Sequence, residues 1–248
     1  TPTGPLDLAQ IIRSLGFVQI DTIRNVTRAH HHILWSRNQN YREPMIWSHL
    51  KDERAVFEHF THDASLIPME FYPLWRRQFT RLAQNIERYK YFETLTPDYC
   101  AEILAKIEAE GALCTRAFDV DTPRTKEMWA RPKHKRALDY LWYRGDLSTS
   151  YRENFIKFYD LTDRVVPQDV QSITLSDQDQ IDGLCHEALS RIGFGALGDI
   201  QRFWAATTSP EVKAWKDRTA RTVIPVKYQT ASGHWREAFA HEDIENRV

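Results

Sequence analysis

The sequence predicts a mainly α-helical α+β fold with small β-hairpins, built from tandem winged-helix units. Residues typical of helix starts and helix ends recur along the chain. In two places a series of predicted helices is followed by two apolar segments joined by a polar turn, which is the pattern of a β-hairpin. The 248 residues are 42% hydrophobic and 27% charged, which is typical of a globular protein with its own cores. A helical protein with unrelated, scattered hairpins is the alternative interpretation.

The second of three predicted units shows this pattern most clearly. Thr96-Pro97-Asp98 is typical of a helix start, because Thr caps the first turn and Pro fits its first position, and Gly111 ends that helix. Another helix is predicted from Pro132 to Gly145. The segment 147–161 then indicates two strands joined by a polar tip at Arg152-Glu153-Asn154. Helices followed by a hairpin are the order of a winged helix.

The other two units show weaker versions of the same order. In the first, a helix ending near Gly16 precedes an extended segment around Gln19. In the third, a helix starts at Ser176 or Asp177, and a later hairpin turns at Gly233. The predicted units are therefore 1–75, with a Gln-x-Asp motif, 76–168, opening with a linker helix, and 169–248.

Composition excludes several classes of function. Three cysteines, never spaced as Cys-x-x-Cys, argue against a disulfide framework and against a zinc site. No apolar stretch approaches the roughly 18–20 residues of a membrane span, and no leader opens the chain, so a cytoplasmic protein without a membrane partner is expected. The chain shows no phosphate-binding Gly-rich loop, Walker lysine or Gly-x-Ser-x-Gly elbow, so no cofactor is predicted.

The distribution of charge is more informative than its sum. A net charge of −1 argues against general affinity for phosphate. Basic residues nevertheless concentrate between Arg124 and Arg136 and between Phe71 and Lys90, whereas acidic residues collect after Asp169. Such segregation can create a basic face on a neutral protein, although solvated helix surfaces also show it.

Gln19 and Asp21 are the candidate catalytic residues. They alternate with the apolar Val18 and Ile20, and in an extended backbone residues two apart project to the same side. An amide and a carboxylate held together in this way can bind and activate a water molecule. A half-buried strand whose polar side happens to read Gln-x-Asp is the alternative from spacing alone.

Histidine and tryptophan receive structural interpretations at most positions. His30, His31 and His32 are consecutive, so their side chains diverge in a regular backbone and no metal site is predicted. His62 is interpreted either as a contact to DNA or the active-site wall, or as a core or capping residue. The tryptophans at 142, 204 and 215 occur at helical spacing from other apolar residues and are predicted to lie in cores.

Four sequence blocks resemble a known family in the same order and at compatible spacing. They are LGFVQIDTIRNVTRAHHHILWSR from Leu15, FTHDASLIP from Phe60, KHKRAL from Lys133 and YDLTDRVVP from Tyr159. Together they look like the signature of the YcaQ-type (AlkZ-like) DNA-crosslink-repair glycosylases. Members of this family usually carry a helix before the region matching Leu6 and a β-rich part beyond the position matching Val248.

The resemblance implies a monofunctional DNA glycosylase that hydrolyses the N-glycosidic bond of N7-alkylated purines, including those in interstrand crosslinks. Asp21 would activate water and stabilise the oxocarbenium-like sugar, while Gln19 would position the water. The implied partner is double-stranded DNA with alkylated or crosslinked bases in a bacterial nucleoid, without an obligate protein partner. A non-catalytic winged-helix DNA-binding protein, such as a transcription regulator, is the alternative function.

The predicted DNA contacts come from several parts of the chain. The start of the helix after Pro132 is expected to face nucleic acid, as in other helix-turn-helix proteins. Arg152 is expected at a wing tip, and the arginines around the histidine run are candidates for phosphate contacts. The full predicted set is Arg28, Arg37, His62, Lys133, His134, Lys135, Arg136 and Arg152.

Overall fold

A computed structural model of the chain describes residues 3–87, 95–119 and 132–246. The described residues form three small antiparallel sheets of three strands, each packed against helices. In all three sheets the strand that comes first in the sequence pairs with the third, which lies in the middle. Within the described ranges, none of the helices combines the length and hydrophobicity needed to cross a bilayer.

The first unit places its motif strand at the edge of a sheet. Asp7 caps the first helix by accepting the Gln10 N–H at 2.8 Å, and Gly16 ends it with a φ of 86°. This part of the chain contains α1 (Leu8–Leu15), β1 (Val18–Gln19), α2 (Ala29–Arg37), α3 (Glu43–Lys51), β2 (Val56–Phe60), β3 (Ala64–Pro68) and α4 (Tyr72–Glu87). The sheet order is β1-β3-β2, so β1 is held on one side only.

The second unit follows the predicted order closely. Thr96 caps the helix that starts at Pro97 by accepting the Tyr99 N–H at 3.3 Å, and Gly145 ends the helix before the hairpin in the left-handed conformation, as the sequence indicates. The elements are α5 (Pro97–Glu110), β4 (Leu113–Cys114), α6 (Lys133–Arg144), β5 (Leu147–Glu153), β6 (Ile156–Leu161), α7 (Thr162–Val165) and α8 (Gln168–Ser172). The hairpin tip lies at Asn154 and Phe155, later than predicted, so Arg152 is part of β5.

The third unit also ends in a hairpin. Ser176 caps its first helix by accepting the Asp179 N–H at 3.1 Å, which confirms the expected start. The elements are α9 (Asp177–Ile192), β7 (Phe194–Gly195), α10 (Leu197–Trp204), α11 (Ser209–Arg218), β8 (Val223–Gln229) and β9 (Trp235–His241). The three tryptophans predicted to be core residues, at 142, 204 and 215, are at most 3% exposed.

Helix α4 connects the units through shared cores rather than a free linker. Trp75 is fully buried and donates its indole N–H to His59 of β2 at 2.9 Å. On another face, Arg77 binds Asp177 at 2.8 Å and Glu211 at 2.6 Å in the third unit. The boundaries near residues 75 and 168 therefore stay a prediction, because α4 belongs to the packing of more than one unit.

The α+β fold with small antiparallel sheets is confirmed by these elements. The winged-helix interpretation of the three units stays a prediction. Parts of both predicted basic segments, residues 88–90 and 124–131, lie outside the described residues.

Candidate active site

The Gln-x-Asp motif lies where β1 leaves its sheet. Gln19 pairs with Ser65 of β3, and the next N–H, that of Ile20, donates to the Ala64 carbonyl at 2.7 Å. Val18 and Ile20 are 2% and 4% exposed, whereas Gln19 is exposed and Asp21 is half-buried. The apolar residues thus anchor the strand, and the Gln19 amide and the Asp21 carboxylate both remain accessible to solvent.

Asp21 is fixed by two hydrogen bonds of its own. Its Oδ1 accepts the Ile23 N–H at 2.8 Å, which closes a tight turn after the strand. Its backbone N–H donates to Nδ1 of His30 at 3.1 Å. Among the residues that the structure describes, Oδ2 has no hydrogen-bond partner, so one carboxylate oxygen remains available to a water molecule or a ligand.

His30 lies in the first turn of α2 and is fully buried. Burial, together with the nearby His31 and Arg28, lowers its pKa to about 3, so the imidazole is neutral at physiological pH. Because Nδ1 accepts the Asp21 N–H, the ring proton is on Nε2. Sequence reasoning considered His30 only as part of a histidine run and missed this contact.

The loop between Asp21 and α2 exposes apolar side chains beside the carboxylate. Ile23 is 69% exposed and Val26 is 84% exposed, while Arg24 and Asn25 between them are exposed too. Large apolar residues this accessible are costly to hydrate, and both follow Asp21 closely in the chain.

The hairpin tip of the second unit reaches the base of this loop. The ring of Phe155 stacks on His30 with centroids 6.2 Å apart and an interplanar angle of 17°. The guanidinium groups of Arg28 and Arg152 lie 4.0 Å and 4.7 Å from the centroid of the same ring. Arg28 is therefore close to the motif, held against an aromatic ring.

Arg152 lies within β5 rather than at the hairpin tip, so its predicted position is wrong, and its contact with DNA stays a prediction. Its side chain is 9% exposed and binds both carboxylate oxygens of Glu58 at 2.7 Å. Lys157 approaches the same carboxylate at 2.9 Å. Burial opposes ionisation of Glu58, but the two cations outweigh it and lower the pKa of this carboxyl to about 2.

The basic start of α6 is divided between core and surface. His134 is 1% exposed and directs Nε2 to Asp119 at 3.1 Å. Lys133 lies over the Tyr99 ring at 4.2 Å, and Lys135 and Arg136 are half-buried. These side chains belong to the second unit, and their role toward DNA stays a prediction.

Arg37 and His62 are the other two predicted DNA contacts of the first unit. Arg37 donates to the Ile33 carbonyl at 2.9 Å and so satisfies the end of its own helix. His62 is exposed in the turn between β2 and β3, within 3.2 Å of the Phe203 carbonyl. In the described part of the chain, no three metal-ligating side chains come together.

A comparison with known protein families identifies the class of protein to which this chain belongs. The family model "DNA glycosylase AlkZ-like" matches residues 12–247, and the chain belongs to that family. This confirms the resemblance found in the sequence.

The structure is similar to that of the Streptomyces sahachiroi DNA glycosylase AlkZ, with a TM-score of 0.68 and 12% sequence identity. The match covers 99% of this chain and 66% of that chain, so the present sequence spans a little under two thirds of that protein. At this level of identity the likeness establishes the shared fold.

Proposed function

We propose that the protein is a monofunctional DNA glycosylase that hydrolyses the N-glycosidic bond of N7-alkylated purines in duplex DNA, including purines joined in interstrand crosslinks. The observation that carries this proposal is the geometry of Asp21. One oxygen of its carboxylate is fixed by the Ile23 N–H at 2.8 Å, and the other has no hydrogen-bond partner among the described residues, two positions after the exposed Gln19.

The chemistry of the lesion explains why a carboxylate suffices. A purine alkylated at N7 is already positively charged, so it leaves without a general acid. The sugar becomes cationic as the bond breaks, as in the hydrolysis of glycosides. A fixed anion stabilises this charge, and the same carboxylate orients and deprotonates the attacking water. Gln19 holds that water by hydrogen bonds without adding a second charge.

The exposed loop supplies a means to reach the lesion in a duplex. Proteins that open the base stack commonly insert apolar side chains between base steps. Ile23 and Val26 are such side chains, and they lie within a few residues of the carboxylate. Insertion of this loop would bring Asp21 toward the sugar of a neighbouring nucleotide.

Accessible arginine and lysine side chains would contact the phosphates of the DNA. Arg24 lies in the inserted loop, and Arg37 ends the helix that follows it. Lys133, Lys135 and Arg136 would contact a more distant part of the backbone, because they begin α6 in the second unit. Each such contact adds to affinity in a salt-dependent way.

The test compares the release of free base by the native chain with that by the Asp21→Asn variant. The native chain should release 7-methylguanine from methylated duplex DNA and leave alkali-labile abasic sites. The variant should lose at least about 100-fold in rate, the lower end of what general acid–base groups contribute. Its affinity for the duplex should remain or increase, since a negative charge is removed near phosphate.

Asp7→Asn is the matched control, because Asp7 is an exposed carboxylate of the same unit that also accepts a backbone N–H. It should release base at the native rate. If the native chain binds duplex DNA without releasing base, the protein is a non-catalytic DNA-binding protein and the proposal fails. Incubation with a duplex crosslinked through N7 of guanine, analysed on a denaturing gel, tests the crosslink activity separately.

A further inference from the structure

We infer that His30 and Phe155 form a positioning unit for the Asp21 backbone, so that the hairpin of the second unit sets the geometry of the carboxylate in the first. This inference rests on the proposed function of Asp21 as the catalytic group. Neither residue touches the substrate in this arrangement; both act through Asp21.

The first link is the hydrogen bond from the Asp21 N–H to Nδ1 of His30, at 3.1 Å. Asp21 follows the last backbone bond of β1, so the sheet no longer fixes its conformation. The imidazole replaces the missing strand partner at this position. It stays neutral, with a pKa lowered to about 3 chiefly by burial, and so remains an acceptor over the whole physiological range.

The other ring nitrogen shows why a histidine is needed. In the described residues, the buried Nε2 of His30 has no hydrogen-bond partner. A buried donor without an acceptor is unfavourable, and an apolar side chain of similar size would avoid that cost. The bond accepted by Nδ1 is therefore the interaction for which an imidazole is useful here.

The second link is the stacking of Phe155 on His30, which limits rotation of the imidazole. Trp47 closes the same pocket, with its ring edge-on to both: 5.9 Å from His30 and 6.0 Å from Phe155. The arginines at 28 and 152 lie against the Phe155 ring. His30 is thus enclosed by rings from two units of the chain.

The backbone at Phe155 indicates that this contact comes at a conformational cost. Asn154 and Phe155 form a two-residue turn with φ angles of 48° and 69°. Such turns favour Asn followed by Gly, because a side chain on the second residue is strained at positive φ. Phe155 therefore holds a backbone conformation that Gly would adopt without strain, and in this conformation its ring stacks on His30.

The third link anchors the hairpin. Arg152, next to the tip, binds Glu58 of β2 through two hydrogen bonds of 2.7 Å. Arg54 donates to the Ser150 carbonyl of the same hairpin at 2.7 Å. The tip is therefore held on the first unit from two positions, and its ring cannot withdraw without breaking buried ionic contacts.

The experiment compares two replacements of His30 in the full chain. His30→Asn keeps an acceptor near the place of Nδ1, whereas His30→Leu removes it and keeps the apolar volume. Single-turnover release of 7-methylguanine at saturating protein should fall more than tenfold in His30→Leu and be largely restored in His30→Asn. The dissociation constant for duplex DNA should change less than twofold in both. Phe155→Gly, which relieves the strained turn, should lower the same rate.

A second readout does not depend on activity. Exchange of the Asp21 amide hydrogen, followed by NMR, should be slow in the native chain and in His30→Asn and much faster in His30→Leu. His59→Leu is the matched control, because His59 is 2% exposed and accepts the buried Trp75 indole N–H rather than an N–H of the motif. It should lower the melting temperature but leave the release rate per folded molecule and the Asp21 exchange unchanged.

The inference is overturned if Asp21 exchange is the same in all three His30 forms, or if the Leu and Asn variants lose rate equally and in proportion to lost stability. If the native chain releases no base while Asp21 exchange responds as expected, the proposed function fails and the positioning contact stands.

Discussion

Glu58 on β2 and Arg152 on β5 form a buried two-point ion pair between residues 94 positions apart in the sequence, with both N–O distances at 2.7 Å. The Glu58 side chain is fully buried, and Lys157 completes its neutralisation. The pair joins β2, an edge strand of the sheet that contains the Gln-x-Asp motif, to the hairpin whose tip contacts His30. Its loss should affect both stability and the site.

Arg152→Met should destabilise the chain by about 3–5 kcal/mol, because it leaves a buried carboxylate with only one cation. Urea unfolding at neutral pH measures this loss. Arg202→Met is the matched control, since Arg202 pairs with Asp199 at the surface and its side chain is 68% exposed. The control should cost less than about 1 kcal/mol. Equal losses in the two variants would contradict the assigned importance of the buried pair.

Buried neutral histidines should make the protein sensitive to mild acid. His59 accepts the Trp75 indole N–H, and burial lowers its pKa to about 3, as it does for His30. Unfolding exposes both rings, which then bind protons below their ordinary pKa of 6.5. The stability is therefore complete above pH 6.5 and falls as the pH decreases toward 3, by up to about 1.4 kcal/mol per pH unit for each histidine.

Urea unfolding at pH 8, 7, 6 and 5 tests this expectation. His59→Gln should be less stable than the native chain at pH 8, yet its stability should decrease less between pH 7 and pH 5. Parallel curves for the two proteins would show that His59 does not carry the effect.

Gln19→Ala should slow base release at least tenfold, because the attacking water loses the group that positions it. Since Gln19 is exposed, the melting temperature should stay within about 1 °C of the native value, as for other surface changes. Single-turnover assays on methylated duplex measure the rate. Gln178→Ala, an exposed change on α9 in the third unit, should leave it unaltered. A native rate in Gln19→Ala would remove the amide from the mechanism.

The exposed loop should contribute more to base release from duplex DNA than to base release from single strands. Replacing Ile23 and Val26 by Ser should lower base release from a duplex severalfold, because the loop loses the apolar surface needed to enter the base stack. Release from methylated single strands should change little. A fluorescent base analogue next to the lesion reports unstacking on binding. Ile173→Ser, at a site 47% exposed between α8 and α9, is the control; an equal effect there would contradict a specific role for the loop.

Local signals were sufficient for much of the fold. The caps at Thr96 and Ser176 and the glycine at 145 predict three helix ends that the structure confirms. The motif strand was also predictable, because alternation of apolar and polar residues is a local property. Strand β2 was missed, since its residues are buried on both faces and show no alternation.

The contacts around the site were beyond the reach of sequence patterns. Arg152 reads as an exposed residue of a polar tip, and only the three-dimensional structure shows that its partner is Glu58. His134 lies in a basic run, yet its face of α6 turns toward Asp119. His30 lies nine residues after Asp21, and an irregular loop brings them together. Contacts that depend on tertiary packing produce no periodic pattern in the sequence.

Helix α4 has a consequence for how the protein can be dissected. Trp75 of this helix is hydrogen-bonded to the first unit and Arg77 forms an ion pair with the third, so both units depend on the same sixteen-residue helix. Fragments cut within this helix would expose its aromatic side chains and aggregate. Hybrid enzymes made by exchanging units at that point would lose the contacts of α4 with both the first and the third unit. A stable chimaera must therefore keep α4 together with both of these units.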